Sequence, residues 1–140
     1  MRPSGTAFLD SNILVRYLTG TPPDMAERAA LIIDAGEPLF LSELVLVETA
    51  YVLSSFYRLE RPDIVDALSD LVQRENLQSL TLPKPLLLEA LQLCRNSKRY
   101  SFTDAFLWAQ ARDRGAAKIY SFDQRFPSMG VTIRDGSRDV

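Results

Sequence analysis

Histidine is absent from all 140 residues. With it go the usual general base, the imidazole metal ligand and every triad built on Ser-His or Cys-His pairs. Any hydrolytic chemistry must therefore run on carboxylates and metal ions. There is one cysteine, Cys94, so no disulfide can form within the chain. Its place in the apolar helical series Leu87, Leu88, Leu91, Cys94 marks a core thiol rather than a nucleophile. No apolar run reaches transmembrane length, and the opening MRPSGTAFLD has no apolar signal segment. The expectation is a cytoplasmic protein with no membrane contact. A basic surplus is also missing: the formal charge is -2 and the pI about 5.1, which argues against gripping nucleic acid by bulk charge. Repeats, low-complexity tracts and linkers are not found.

What is present is a chain that is 46% hydrophobic, enough to bury the core of a single domain spanning residues 1–140. Of the 16 basic residues, 13 are arginine, whose planar fork of donors suits phosphate. The stretch from Thr6 to Leu18 reads as a short buried strand, Ala7-Phe8-Leu9, closed by Asp10 and followed at once by an amphipathic helix. Helical periodicity then marks Asp24 to Ala35, Leu44 to Tyr57, Pro62 to Glu75, Leu86 to Cys94 and Phe102 to Arg114. Leu39 to Leu41, Leu77 to Leu82, Lys118 to Phe122 and Val131 to Ile133 read as further strands, with FDQRFPSMG as a turn-rich connector. Strands alternating with helices predict an α/β fold, a three-layer α/β/α sandwich around a mostly parallel five-stranded sheet.

Four acids stand out against this frame. Asp10 ends a strand and begins a helix, the position where open α/β sheets hold ligands, although Asp, Ser or Asn there also serves as a plain helix cap. Glu48 is the only charge between Leu44 and Tyr57. Either it is buried and needs a cation, or the helix turns it to solvent beside Thr49 and Ser55. Asp104 lies in the first turn of its helix, where an acid complements the dipole and Ser101 or Thr103 supplies the cap. Asp123 follows the fourth strand and is, alone, an ordinary turn residue. If the helix holding Asp104 runs antiparallel to the fourth strand, all four acids project at one sheet edge. Such carboxylates raise one another's pKa values unless divalent cations lie between them. Oxygen donors without histidine select Mg²⁺ or Mn²⁺ over zinc, and such a centre suits phosphodiester hydrolysis.

In these four places the sequence resembles the PIN-domain nucleases, and among them the VapC-type toxins of bacterial toxin-antitoxin pairs. FLDSNILVRYLT resembles the opening motif of that family, LVLVETAYVL its glutamate helix, SFTDAFLWAQA its third acidic motif and YSFDQRF its fourth. The resemblance implies that Asp10, Glu48, Asp104 and Asp123 bind metal, with Asn12, Thr103 and Ser121 supporting them. It also implies an Mg²⁺- or Mn²⁺-dependent endoribonuclease leaving a 5′-phosphate and a 3′-hydroxyl, a homodimer, and inhibition by a small antitoxin protein.

Arg16, Arg95, Lys98, Arg99, Arg112 and Arg125 flank the motifs and are candidates to guide an RNA backbone. Tyr17, Tyr100 and Phe126 suit packing better than base stacking. Four other readings compete. A housekeeping RNA-processing nuclease of the same family needs the same acids. A phosphoaspartate phosphatase would want a second aspartate at Asn12, and a receiver would want paired acids near Asp10 and a lysine beyond a late strand, whereas Lys118 begins one. A catalytically inactive binding module would have no need of all four acids.

Overall fold

The computed structural model describes residues 7–137. Residues 1–6 of the amino-terminal segment read above for targeting lie outside the described residues. The order of elements is β1 (Ala7–Phe8), α1 (Ser11–Thr19), α2 (Pro23–Ile33), β2 (Leu39–Leu41), α3 (Glu43–Ser55), α4 (Arg61–Val72), β3 (Leu77–Ser79), α5 (Lys84–Leu93), α6 (Phe102–Asp113), β4 (Lys118–Tyr120) and β5 (Thr132–Arg134). The alternation expected from periodicity is present throughout. The stops are local: Gly20 closes α1 in the left-handed region at φ 73°, which only glycine enters without a steric cost.

The sheet meets expectation in part. All strand pairs are parallel, and their hydrogen bonds join β1-β2-β3 in a three-stranded sheet and β4-β5 in a two-stranded one. β1 is therefore an edge strand with one side unpaired. Phe8, expected in a buried strand, is 62% exposed, with the ring of its ladder partner Phe40 5.3 Å away between centroids. Leu9 alone of that run is buried. β3 also stops earlier than the sequence suggests, at Ser79. Beyond it the backbone N–H groups of Thr81 and Leu82 donate to the carboxylate of Glu43 instead of to a neighbouring strand.

The core lies between the sheets and the helices, with Leu14, Leu41, Leu46, Leu53, Leu68 and Trp108 among its fully buried side chains. Trp108 also anchors the last connector: its indole N–H donates to Met129 O at 2.8 Å. Arg112 donates to the same carbonyl at 3.1 Å and lies over the Trp108 ring. Among the described residues no helix is long and apolar enough to cross a membrane.

Cys94 is buried at the end of α5 as the pattern indicated, and burial pushes its thiol up to about 11. It should resist thiol-specific reagents at pH 8 in the folded protein and react only on unfolding. Stoichiometric modification without denaturant would contradict this.

Candidate active site

Each acid owes its position to a local device. Asp10 ends β1, where Leu9 N–H donates to Phe40 O at 3.3 Å, and it is the N-cap of α1. Its Oδ1 accepts from Ser11 N–H at 2.8 Å, leaving the rest of an exposed carboxylate open to solvent. The capping role and the site role are thus compatible. Asn12, in the first turn of α1, is exposed and has no side-chain partner among the described residues.

Glu48 corrects one premise. It is exposed, so it is not the lone buried carboxylate of its helix. Nor do Thr49 and Ser55 together mark its solvent face, because Thr49 is fully buried and its hydroxyl donates to Val45 O at 2.7 Å. The buried acid of α3 is Glu43, 5% exposed. Its carboxylate accepts from Leu82 N–H at 2.8 Å and Thr81 N–H at 3.1 Å. Five residues along a helix rotate a side chain by about 140°, so Glu43 and Glu48 face different surroundings. Glu48 lines a cleft of about 360 Å³ whose opposite wall is Ser101, Phe102 and Thr103 at the start of α6.

Asp104 sits in that same first turn of α6. Ser101 is the cap: its hydroxyl accepts from Asp104 N–H at 3.0 Å, so Thr103 is left exposed on the cleft wall rather than used as a cap. Burial raises the pKa of Asp104, the Ser101 hydroxyl opposes the shift, and the nearby negative charge of Asp123 adds to it. Asp123 is set beyond β4 by an Asx-type turn. Its own N–H donates to the Ser121 hydroxyl at 3.0 Å, and its Oδ1 accepts from Arg125 N–H at 2.8 Å. The buried ring of Phe126 fixes the turn from behind.

The structure thus brings Asp104 and Asp123 within electrostatic reach of one another and sets Glu48 across a cleft from the helix that carries Asp104. Asp10 stands at the end of β1, in the other sheet from β4. Among the described residues no three acid or cysteine side chains converge closely enough to hold one ion together. Their donors are all hard oxygens, and Asp104 has a repelling acid rather than a cation beside it. In kind and in charge this suits a divalent cation.

Residues 7–131 match the model of the PIN domain family. The chain belongs to this family. Among relatives of this PIN domain, a VapC ribonuclease from Aquifex aeolicus is 29% identical over 126 residues, covering 88% of this chain and 91% of the relative. Among solved structures, a sarcin-ricin loop cleaving toxin of Mycobacterium tuberculosis, VapC20, is 25% identical with a TM-score of 0.40, covering 90% of this chain and 96% of that one.

The basic residues around the PIN acids sort by partner. Arg95 is spent on Asp66, through two hydrogen bonds of 2.9 Å, Arg112 on Met129 O, and Arg16 donates to the Tyr57 hydroxyl at 3.1 Å. Arg99 lies over the Tyr100 ring at 5.5 Å. Lys98 and the Arg125 side chain have no partner among the described residues. Tyr17 is tied to Asp34 and Arg74 and Phe126 is core, in keeping with packing roles. Two features escaped sequence reading. Glu43 takes its donors from residues 38 and 39 positions away. Arg61 donates to the carbonyls of Cys94 and Tyr100, 33 and 39 positions away. No local pattern reports either.

Proposed function

We propose that this PIN-domain protein is a metal-dependent endoribonuclease and the toxin of a toxin-antitoxin pair. The observation that carries this reading is the pair of neighbouring acids Asp104 and Asp123, with Glu48 in a cleft whose wall includes Ser101 and Thr103 at the start of the helix that carries Asp104, in a chain of this family. Similarity to a VapC ribonuclease supports RNA as the substrate. Asp10, Glu48, Asp104 and Asp123 hold Mg²⁺ or Mn²⁺, and Asn12, Thr103 and Ser121 orient them. When bound, one or two such ions supply a hydroxide nucleophile and neutralise the leaving oxygen. The chain's own part is to gather negative charge that only a cation relieves. It also aims the N-terminus of α6, with its unpaired N–H groups, at the phosphate.

In this reading the five strands close into one sheet of a single domain, with β1 beside β4. Parallel neighbours about 4.8 Å apart would set Asp10 next to the end of the strand that leads to Asp123. The exposed rings of Phe8 and Tyr120 beside unpaired strand edges support this. The working protein is a cytoplasmic homodimer, silenced by a small antitoxin.

The test is cleavage of a mixed structured RNA pool by antitoxin-free protein with Mg²⁺, Mn²⁺ or chelator, beside Asp10→Asn. Cuts that need metal and vanish in the variant are expected. Absence of any metal-dependent cut, together with no calorimetric binding of Mn²⁺, would overturn the reading.

A further inference from the structure

The cleft that holds Glu48 does not end at Tyr51. It shares Ser54 and Arg61 with a second, polar cavity of about 250 Å³ at the turn from α3 to α4, where Ser55, Arg58 and Lys98 complete the wall. Three cations meet there against one acid, Glu60. Neither Arg58 nor Lys98 has an ion-pair or hydrogen-bond partner among the described residues. Arg61, by contrast, is fixed: it donates to Tyr100 O at 2.8 Å and Cys94 O at 3.3 Å, and its guanidinium lies 4.8 Å above the Phe102 ring.

Arg58 is unusual in its backbone. It has a φ of 59°, the only positive value outside glycine among the described residues, and it turns the chain so that Leu59 N–H reaches back to Leu53 O at 3.0 Å. Glycine is the ordinary occupant of such a helix terminus. An arginine there carries a steric cost that a purely structural turn would avoid.

We infer that this basic trough binds a backbone phosphate of the RNA strand lying in the Glu48 cleft, so that the strand runs from the acids along α3 to Arg58, Arg61 and Lys98. A polyanion fits because Arg58 and Lys98 are unpaired among the described residues, and because the trough shares Ser54 and Arg61 with the cleft. The assignment rests on the nuclease reading for the identity of the strand, but its test is separable. Single-stranded RNA binding is followed by fluorescence anisotropy in the cleavage-silent Asp104→Asn background, with Arg58→Gly, Lys98→Ala and both together. Arg114→Ala, at the far end of α6, serves as control.

Affinity should fall about tenfold in the double variant. The slope of log affinity against log salt should shrink by about 0.7, for the one phosphate that the protein no longer neutralises. Arg58→Gly should also raise the melting temperature by about 3 °C, a gain of stability with a loss of binding that a structural role would not give. Unchanged affinity and slope, or no RNA binding by the parent, would overturn the trough. Displacement of RNA by an aspartate-rich peptide at lower concentration than by competing RNA would assign it to a protein partner and overturn it equally. Wild-type protein that binds RNA through the trough but never cleaves would overturn the nuclease reading and leave the trough standing.

Discussion

Replacing Asp104 by asparagine should reduce RNA cleavage by about a thousandfold, the equivalent of roughly 4 kcal/mol of transition-state stabilisation, and should leave the protein as stable as before or more so. The two effects share one cause. Asp104 is partly desolvated and faces Asp123, and both raise its pKa above the ordinary 3.8. A carboxyl that holds its proton more tightly folded than unfolded is a charge the fold would rather not carry. Its ionised form therefore costs stability, and the cost is felt once pH rises above the unfolded value. Asparagine is isosteric and neutral, and the Asp104 N–H that donates to Ser101 is kept. The melting temperature of the variant should thus equal or exceed the wild type at pH 7. The difference should vanish below about pH 3.8, where both forms are neutral. Melting curves at pH 3 and pH 7, run without metal, check this. A large loss of stability at pH 7 would show Asp104 to be structural.

Glu43→Ala should do the reverse, lowering the melting temperature by about 10 °C. The Glu43 carboxylate is buried and accepts the backbone N–H groups of Thr81 and Leu82. Alanine would strand those donors in the interior and leave a void where the carboxylate stood. Losing charge-assisted bonds of this kind costs about 3 kcal/mol, which for a domain of this size is about 10 °C. Glu43→Gln, which keeps one acceptor oxygen, should fall between. Glu48→Ala on the same helix should melt within about 2 °C of wild type, because an exposed side chain with no hydrogen-bond partner contributes little. It should nonetheless lose most of its cleavage. Thermal denaturation of the three variants decides the matter. A Glu43→Ala protein as stable as Glu48→Ala would show that the buried carboxylate does not hold the β3–α5 loop.

The order of helices and strands was legible in the sequence because its signals are local. Ser42 as the N-cap of α3, Gly20 after α1 and the 3.6-residue spacing of leucines each act within a turn or two of themselves. Asp10, Asp104 and Asp123 could be picked out as candidates for a related reason: each stands at or just beyond the end of an element, a position that chain order alone marks. The lack of histidine, a matter of composition alone, narrowed the chemistry to carboxylates and hard cations.

Tertiary structure decided what depends on residues far apart in the chain. Which glutamate of α3 is buried turned on the Thr81 and Leu82 amides, which only the approach of the β3–α5 loop supplies. Which arginines are free turned on partners such as Asp66 for Arg95. The division of the strands into sheets of three and two was not written in their composition either. Apolar runs of three residues record that a strand is apolar, not which neighbour it pairs with. Pairing is a property of two strands at once, and a single sequence states it for neither.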